Sequence, residues 1–300
     1  MNDLPATDFL QATTPWQSDA GDGPTLRGRR RDNGRPLIHF LHGNGFCGGV
    51  YWPFLRTLAS DHALFCQDLE GHGASDAPRR YSGTRAIIER VPQVIDEQCA
   101  GAMPMIGLGH SFGAAVTLAV AARRPELFRT LVLLDPILIP TPSWLGLKLA
   151  NRLGRNAIAN AARRRRDRWA SRDEVLGRLR GRGIYAGWRE DALASFVDYA
   201  TRDDGDGRVL CCPREIEAAI FENPVYPWRL IRQVRCPVLF VHGESSYPFL
   251  PPAARRAARL NPNITVRTIP GGHCFMQEDP DRAAAVVREF LSAATWEPGR

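Results

Sequence analysis

The sequence predicts an α/β protein with a mostly parallel central sheet flanked by helices and one helical insertion. Three observations carry this. Between Pro36 and Leu134, short apolar runs alternate with helix-like segments of ten or so residues, the pattern of βαβ units. The same rhythm returns from Pro237 onward. Between the two stretches the strand signal is missing, and helical, arginine-rich, tryptophan-containing sequence replaces it.

In chain order, the predicted strands are 37–41, 63–66, 105–108 and 131–134, and the helices between them are 51–59, 84–98 and 114–123. The late elements are a strand at 237–241, a helix at 253–260, a strand at 264–269 and an amphipathic helix at 281–290. The Gly-, Asp- and Arg-rich region before Pro36 is expected to supply a leading hairpin. This divides the chain into a core of residues 1–135 and 228–300 and a helical insertion of 136–227. There are no internal repeats, and no low-complexity tract beyond the Arg163 to Arg166 run.

Three hundred residues suffice to bury a full core. The opening Met-Asn-Asp-Leu-Pro has no basic n-region, and no apolar run approaches a membrane span, so a soluble cytoplasmic protein is expected. The seven cysteines lack metal-ligand spacing and are read as reduced and mostly buried. The net charge of +7 is concentrated between Lys148 and Arg182, where twelve basic residues stand against Asp167, Asp173 and Glu174. Such a segment could attract an anionic substrate, a membrane surface or nucleic acid. Lys148 is the only lysine, however, so an arginine-rich coding bias with solvated side chains is the favoured reading, and a nucleic-acid partner is not expected.

Gly109-His110-Ser111-Phe112-Gly113 follows a predicted strand and precedes a predicted helix. That context turns a common pentapeptide into a nucleophile elbow, with Ser111 raised above the sheet on a turn too tight for side chains at its flanks. A serine hydroxyl needs a general base. Of seven histidines, His273 in Pro270-Gly271-Gly272-His273 follows the last strand, where a loop can lean over the carboxyl edge of the sheet. His110 should point away from Ser111, and His42, His62, His72 and His242 read as structural. His39 and His42 fall on opposite faces of one strand, which argues against a shared metal. The developing oxyanion needs two backbone donors. Phe112 supplies one, and the loop His42-Gly43-Asn44-Gly45-Phe46 supplies the other through Asn44, although an Asn-Gly turn alone would also account for that loop.

Together these residues resemble the α/β-hydrolase fold family. His42-Gly43-Asn44-Gly45 stands after the third strand, Asp68-Leu69-Glu70-Gly71-His72-Gly73 after the fourth, then the elbow at Ser111 and Gly272-His273 near the end, with the insertion at the family's cap position. The stretch Arg166-Asp167-Arg168-Trp169 is similar to caps of the peroxisomal lipase type, which hints at acyl esters with an apolar part. The resemblance implies an acid a few residues past the glycine of the penultimate strand, but Ser246 stands there, in His242-Gly243-Glu244-Ser245-Ser246. The carboxylates left are Asp135, in Leu133-Leu134-Asp135-Pro136, and Glu244. Asp135 is favoured, since some family members carry the acid after that strand and the order Ser, acid, His is kept.

A serine at the elbow predicts acyl transfer to water from a carboxylic ester, with thioester or carbon-carbon bond hydrolysis as alternatives. The resemblance disfavours epoxide hydrolases and dehalogenases, which place aspartate there. Trp144, Trp169, Tyr185, Trp188, Phe196 and Tyr199 could roof a small-molecule pocket or simply form the core of the insertion. No phosphate loop, dinucleotide fingerprint or metal cluster implies a cofactor. The competing reading is a non-catalytic ligand-binding protein on a hydrolase scaffold. Leaving group, acyl length and oligomeric state are not encoded legibly.

Overall fold

A computed structural model describes residues 8–293, so the opening Met1 to Pro5 stretch and the last seven residues of the C-terminal core segment lie outside the described residues. Eight strands form one sheet in the order β1-β2-β4-β3-β5-β6-β10-β11. They are β1 (Thr14–Ser18), β2 (Leu26–Arg31), β3 (Leu37–Leu41), β4 (Ala63–Gln67), β5 (Met105–His110), β6 (Phe128–Leu134), β10 (Val238–Gly243) and β11 (Ile264–Ile269). The leading hairpin exists: β1 pairs antiparallel with β2, and β2 antiparallel with β4. Every other pairing is parallel.

The central strands β3, β4, β5, β6 and β10 are buried on both faces because helices cover both. Leu37, Leu41, Ala63 and Phe65 enter one apolar cluster with helices Thr84–Cys99, Phe112–Arg123 and Leu250–Leu260. Ile38, Phe40, Leu64 and Cys66 enter a second with helices Trp52–Leu58 and Pro280–Ala293. The period-two alternation within β3 and β4 thus sorts side chains between two cores rather than between core and water. All six parallel strands end at one edge, and the loops leaving that edge carry Asn44, Ser111, Asp135 and His273.

Residues 136–227 add no strand to this sheet. Their main helices are Thr141–Arg152, Ala157–Arg164, Arg172–Leu179, Glu190–Tyr199 and Arg214–Glu222. Alongside these helices the insertion, expected to be mostly helical, carries a small antiparallel sheet, β7 (Arg168–Trp169), β8 (Thr201–Asp204) and β9 (Gly207–Leu210). These strands escaped the apolar pattern because they are short and polar: Arg202, Asp203 and Asp204 are exposed, and Arg208 reaches Asp203 across the hairpin at 2.9 Å. Nor are the arginines of the insertion simply solvated. Arg163 pairs with Glu215 and Glu222, Arg165 with Glu217, Arg166 and Arg178 with Glu174, Arg168 with Asp204, Arg172 with Asp198, and Arg180 with Glu190. Most of the local excess is therefore matched in space by acids distant in sequence. All seven cysteines are free, and five are buried.

Candidate active site

The turn between β5 and helix Phe112–Arg123 holds Ser111 at φ 55° and ψ −116°, a backbone conformation that costs a non-glycine residue energy and survives only where surroundings enforce it. The enforcement is steric. A Cβ on Gly113 would lie 2.3 Å from the Leu41 carbonyl oxygen, and one on Gly109 would lie 2.7 Å from the Ala114 backbone. The Ser111 amide donates to the Leu134 carbonyl at 3.0 Å, tying the turn to the end of β6.

His273 arrives from the loop after β11. Its Nε2 lies 3.0 Å from Ser111 Oγ, and its Nδ1 lies 2.5 Å from Asp135 Oδ2. Asp135, at the end of β6, is fully buried and is the second non-glycine residue with positive φ, at 45°. Its amide donates to the Val241 carbonyl at 2.7 Å. The carboxylate is held by three donors: the Gly243 amide at 2.9 Å to Oδ1, Ser246 Oγ at 2.5 Å to Oδ2, and His273. Ser246, at the position where an acid was expected, thus hydrogen-bonds to the acid that stands elsewhere. Glu244 is exposed, and its carboxylate has no hydrogen-bond or ionic partner among the described residues, although its amide donates to the Ile269 carbonyl at 2.8 Å.

Asn44 and Phe112 line the same cleft as Ser111, and no acceptor for either backbone amide is found among the described residues. The neighbouring amides are spent: Gly43 donates to Tyr51 Oη at 3.0 Å, and Gly45 to His72 Nε2 at 3.0 Å. Histidines that read as merely structural turn out to scaffold this loop. Leu69 N donates to His42 Nε2 at 3.0 Å, and His42 Nδ1 contacts the Gly43 carbonyl at 2.8 Å. Tyr51 Oη lies 2.7 Å from His110 Nδ1, whose Nε2 meets the His273 carbonyl at 2.9 Å. One chain of bonds consistent with neutral imidazoles therefore runs from Gly43 N–H through Tyr51 and His110 to the backbone of His273. Burial supports those neutral forms: it pushes His72 down to about 4 and carries His42 and His110 well below the ordinary imidazole range.

The insertion reaches the loop as well. Asn44 Nδ2 donates to the Glu217 carbonyl at 2.9 Å. Arg165 Nη1 donates to both Glu217 carboxylate oxygens at 2.7 and 2.8 Å, and its Nη2 reaches Tyr185 Oη at 3.3 Å. Burial pushes the Glu217 carboxyl up, opposed by the Arg165 charge.

Above Ser111 lies a cleft of about 940 Å³, its open mouth included. Four of the insertion's aromatic residues form core, the reading the sequence favours, rather than the lining of the cleft. Trp169, Tyr185, Trp188 and Phe196 are buried in the second core, with Trp188 and Phe196 edge-on to Phe46. The insertion instead presents Leu147, Ile158, Ile184, Ile220, Phe221 and Val225, and the loop after β10 adds Tyr247 and Phe249. Among the described residues, no Arg, Lys, Asp or Glu side chain lines the cleft. Asn156 does, but its amide is consumed by Asn151, the Phe221 carbonyl and the amides of Ile158 and Ala159.

A sequence profile of the alpha/beta hydrolase family matches residues 40–286, from β3 into the last helix. The chain belongs to the alpha/beta hydrolase family. It is thereby an enzyme of the hydrolase type. Over 274 residues it is 26% identical to 2-(acetamidomethylene)succinate hydrolase of Mesorhizobium japonicum, covering 90% of this chain and 92% of that one. Human monoglyceride lipase is 33% identical over 112 residues, only 36% of this chain and 37% of the lipase. The crystal structure of E-2-(acetamidomethylene)succinate hydrolase superposes with a TM-score of 0.76 at 23% identity, covering 93% of this chain and 99% of the other, which speaks for the shared fold. None of the described helices of this family member is long and apolar enough to cross a membrane.

Proposed function

We propose that this family member is a serine hydrolase that cleaves carboxylic esters with an apolar acyl or alcohol part through an acyl-enzyme on Ser111. The observation that carries the reading is the continuous line Ser111 Oγ, His273 Nε2, His273 Nδ1, Asp135 Oδ2, with steps of 3.0 and 2.5 Å. In this reading the Ser111 hydroxyl gives its proton to His273 Nε2 as Oγ attacks the ester carbonyl carbon. The oxyanion accepts from the amides of Asn44 and Phe112. His273 then protonates the departing alkoxide, and a water, deprotonated by the same imidazole, releases the acid. Asp135 keeps the Nδ1–H tautomer in place and stabilises the imidazolium.

The choice of an uncharged apolar substrate rests on the walls of the cleft. The relative's name describes a succinate, whose carboxylates would find no cationic side chain among the described residues lining this cleft. An alkyl chain would lie against isoleucine, leucine and phenylalanine. A panel of p-nitrophenyl esters is expected to show kcat/KM rising from acetate to octanoate by up to about fourfold per methylene, the value of burying one CH₂. A flat profile, or a preference for acetate, overturns the apolar assignment. Ser111 is expected to react with a fluorophosphonate probe in the folded protein, and a failure to label it favours a ligand-binding role instead.

Ser246 is read as a positioning residue, because its hydroxyl shares Asp135 Oδ2 with the imidazole. Ser246→Ala should lower kcat roughly tenfold with little change in KM, the weight of one hydrogen bond to a charged group. An unchanged kcat would show that Gly243 and His273 hold the carboxylate without it.

A further inference from the structure

The insertion exposes apolar side chains in one place. Of the large hydrophobic residues that are exposed among the described residues, Leu145, Leu149, Leu153 and Ile158 fall within residues 145–158, each between 55% and 60% accessible. Leu145, Leu149 and Leu153 recur every fourth residue along helix Thr141–Arg152 and its C-cap, so they form one stripe. Ile158 and Ile184 are exposed and also line the cleft above Ser111. Ile158, five residues beyond Leu153, carries exposed apolar surface to the mouth of the cleft, whereas Leu147, which lines the cleft, lies on the opposite side of the helix from the stripe.

Beside this stripe lies a second, cationic one. Lys148 and Arg152 are four apart on the helix, and Arg155 follows in the next turn; all three are exposed. Unlike most arginines of the insertion, Arg152, Arg155 and Arg164 make no ion pair among the described residues, and Lys148 lies over the Trp144 ring at 4.3 Å rather than against an acid. From Pro136 to Arg166 the sequence contains no Asp or Glu.

An apolar stripe bordered by free cations is the pattern of a helix that lies in a lipid interface, with alkyl side chains among acyl chains and cations at the headgroups. A second copy of this chain is a poorer occupant, since two such faces meeting about a twofold axis would oppose their cations. Nucleic acid would satisfy the cations and leave the leucines uncovered. We infer that the face formed by helix Thr141–Arg152 and the turn after it docks on an anionic lipid surface, setting the mouth of the cleft against the lipid from which an apolar ester would enter. The inference extends the ester-hydrolase reading by naming the source of its substrate, and its test does not depend on turnover.

The experiment is co-sedimentation of the full chain with phosphatidylglycerol vesicles and with pure phosphatidylcholine vesicles. Wild type is expected to bind the former, with binding weakened by salt as surface charges are screened. Replacing Lys148, Arg152 and Arg155 by alanine should reduce the partition coefficient about a hundredfold, at roughly fivefold per cation. Leu145→Glu with Leu149→Glu should abolish it, while both variants turn over soluble p-nitrophenyl butyrate like the wild type. If wild type ignores phosphatidylglycerol vesicles, or the variants bind as it does, the inference fails whatever the esterase assays show. It fails equally if the glutamate variant converts a dimer to a monomer and vesicle binding is nil. Absent p-nitrophenyl turnover with intact vesicle binding would instead remove the ester-hydrolase reading and leave the lipid surface standing.

Discussion

Ser111→Ala is expected to lower kcat on p-nitrophenyl esters by about 10⁶-fold, leaving only what oxyanion donors and binding supply without a nucleophile. The substitution removes one oxygen and keeps the Cβ, so the strained turn at φ 55° is neither relieved nor worsened. Thermal midpoint and ligand affinity should stay close to the wild type, and a fluorophosphonate probe should no longer label the protein. The lost contact is the 3.0 Å bond to His273 Nε2, whose Nδ1 keeps its bond to Asp135. Activity within about tenfold of the parent would mean that another group performs the chemistry.

The second large effect concerns the acid. Asp135→Asn should cost about 10⁴-fold in kcat while the protein remains folded. The amide oxygen can still accept from the Gly243 amide, so the buried position keeps a bond. An NH₂ would then face His273 Nδ1, forcing the proton onto Nε2, where it points at Ser111 and blocks acceptance of the hydroxyl proton. Glu244→Gln, at an exposed residue, should leave the rate within about twofold. Adding Ser246→Asp to Asp135→Asn should recover part of the loss, because Ser246 Oγ already sits 2.5 Å from the oxygen that binds the imidazole. Loss of activity in Glu244→Gln, with Asp135→Asn active, would transfer the acid to Glu244.

The sheet was legible because its central parallel strands are buried on both faces and read as short apolar runs, so 37–41 read from sequence coincides with Leu37–Leu41; the edge strand Ile264–Ile269, less buried, was still marked by its β-branched residues. The strands of the insertion were illegible for the converse reason: Thr201–Asp204 buries only its first residue. Ser111 stood out because a tight turn demands glycine at fixed offsets, a local signal. Asp135 could be ranked above Glu244 from its place at a strand end, while its bonds to Gly243 and Ser246 join residues more than a hundred positions apart. Tyr51 and His110 are of the same kind. A tyrosine in a helix-start segment carries no mark of the distant imidazole it will meet, and His110 showed only that it faces away from Ser111. The arginine-rich insertion misled in another way, since composition counts charges and cannot say which acids will stand beside them.

One arrangement has a consequence for how this protein can change over generations. With the carboxylate supplied from β6, the loop after β10 is asked for one hydroxyl, that of Ser246, and its next residues, Tyr247 and Phe249, face the cleft. In a scaffold whose acid sits in that loop, every insertion or substitution there risks the chemistry along with the fit. On the proposed mechanism, a lineage can lengthen, shorten or reshape this wall to admit a new acyl group while Ser111, His273 and Asp135 stay on other strand ends. Substrate range and reactivity become separately heritable traits.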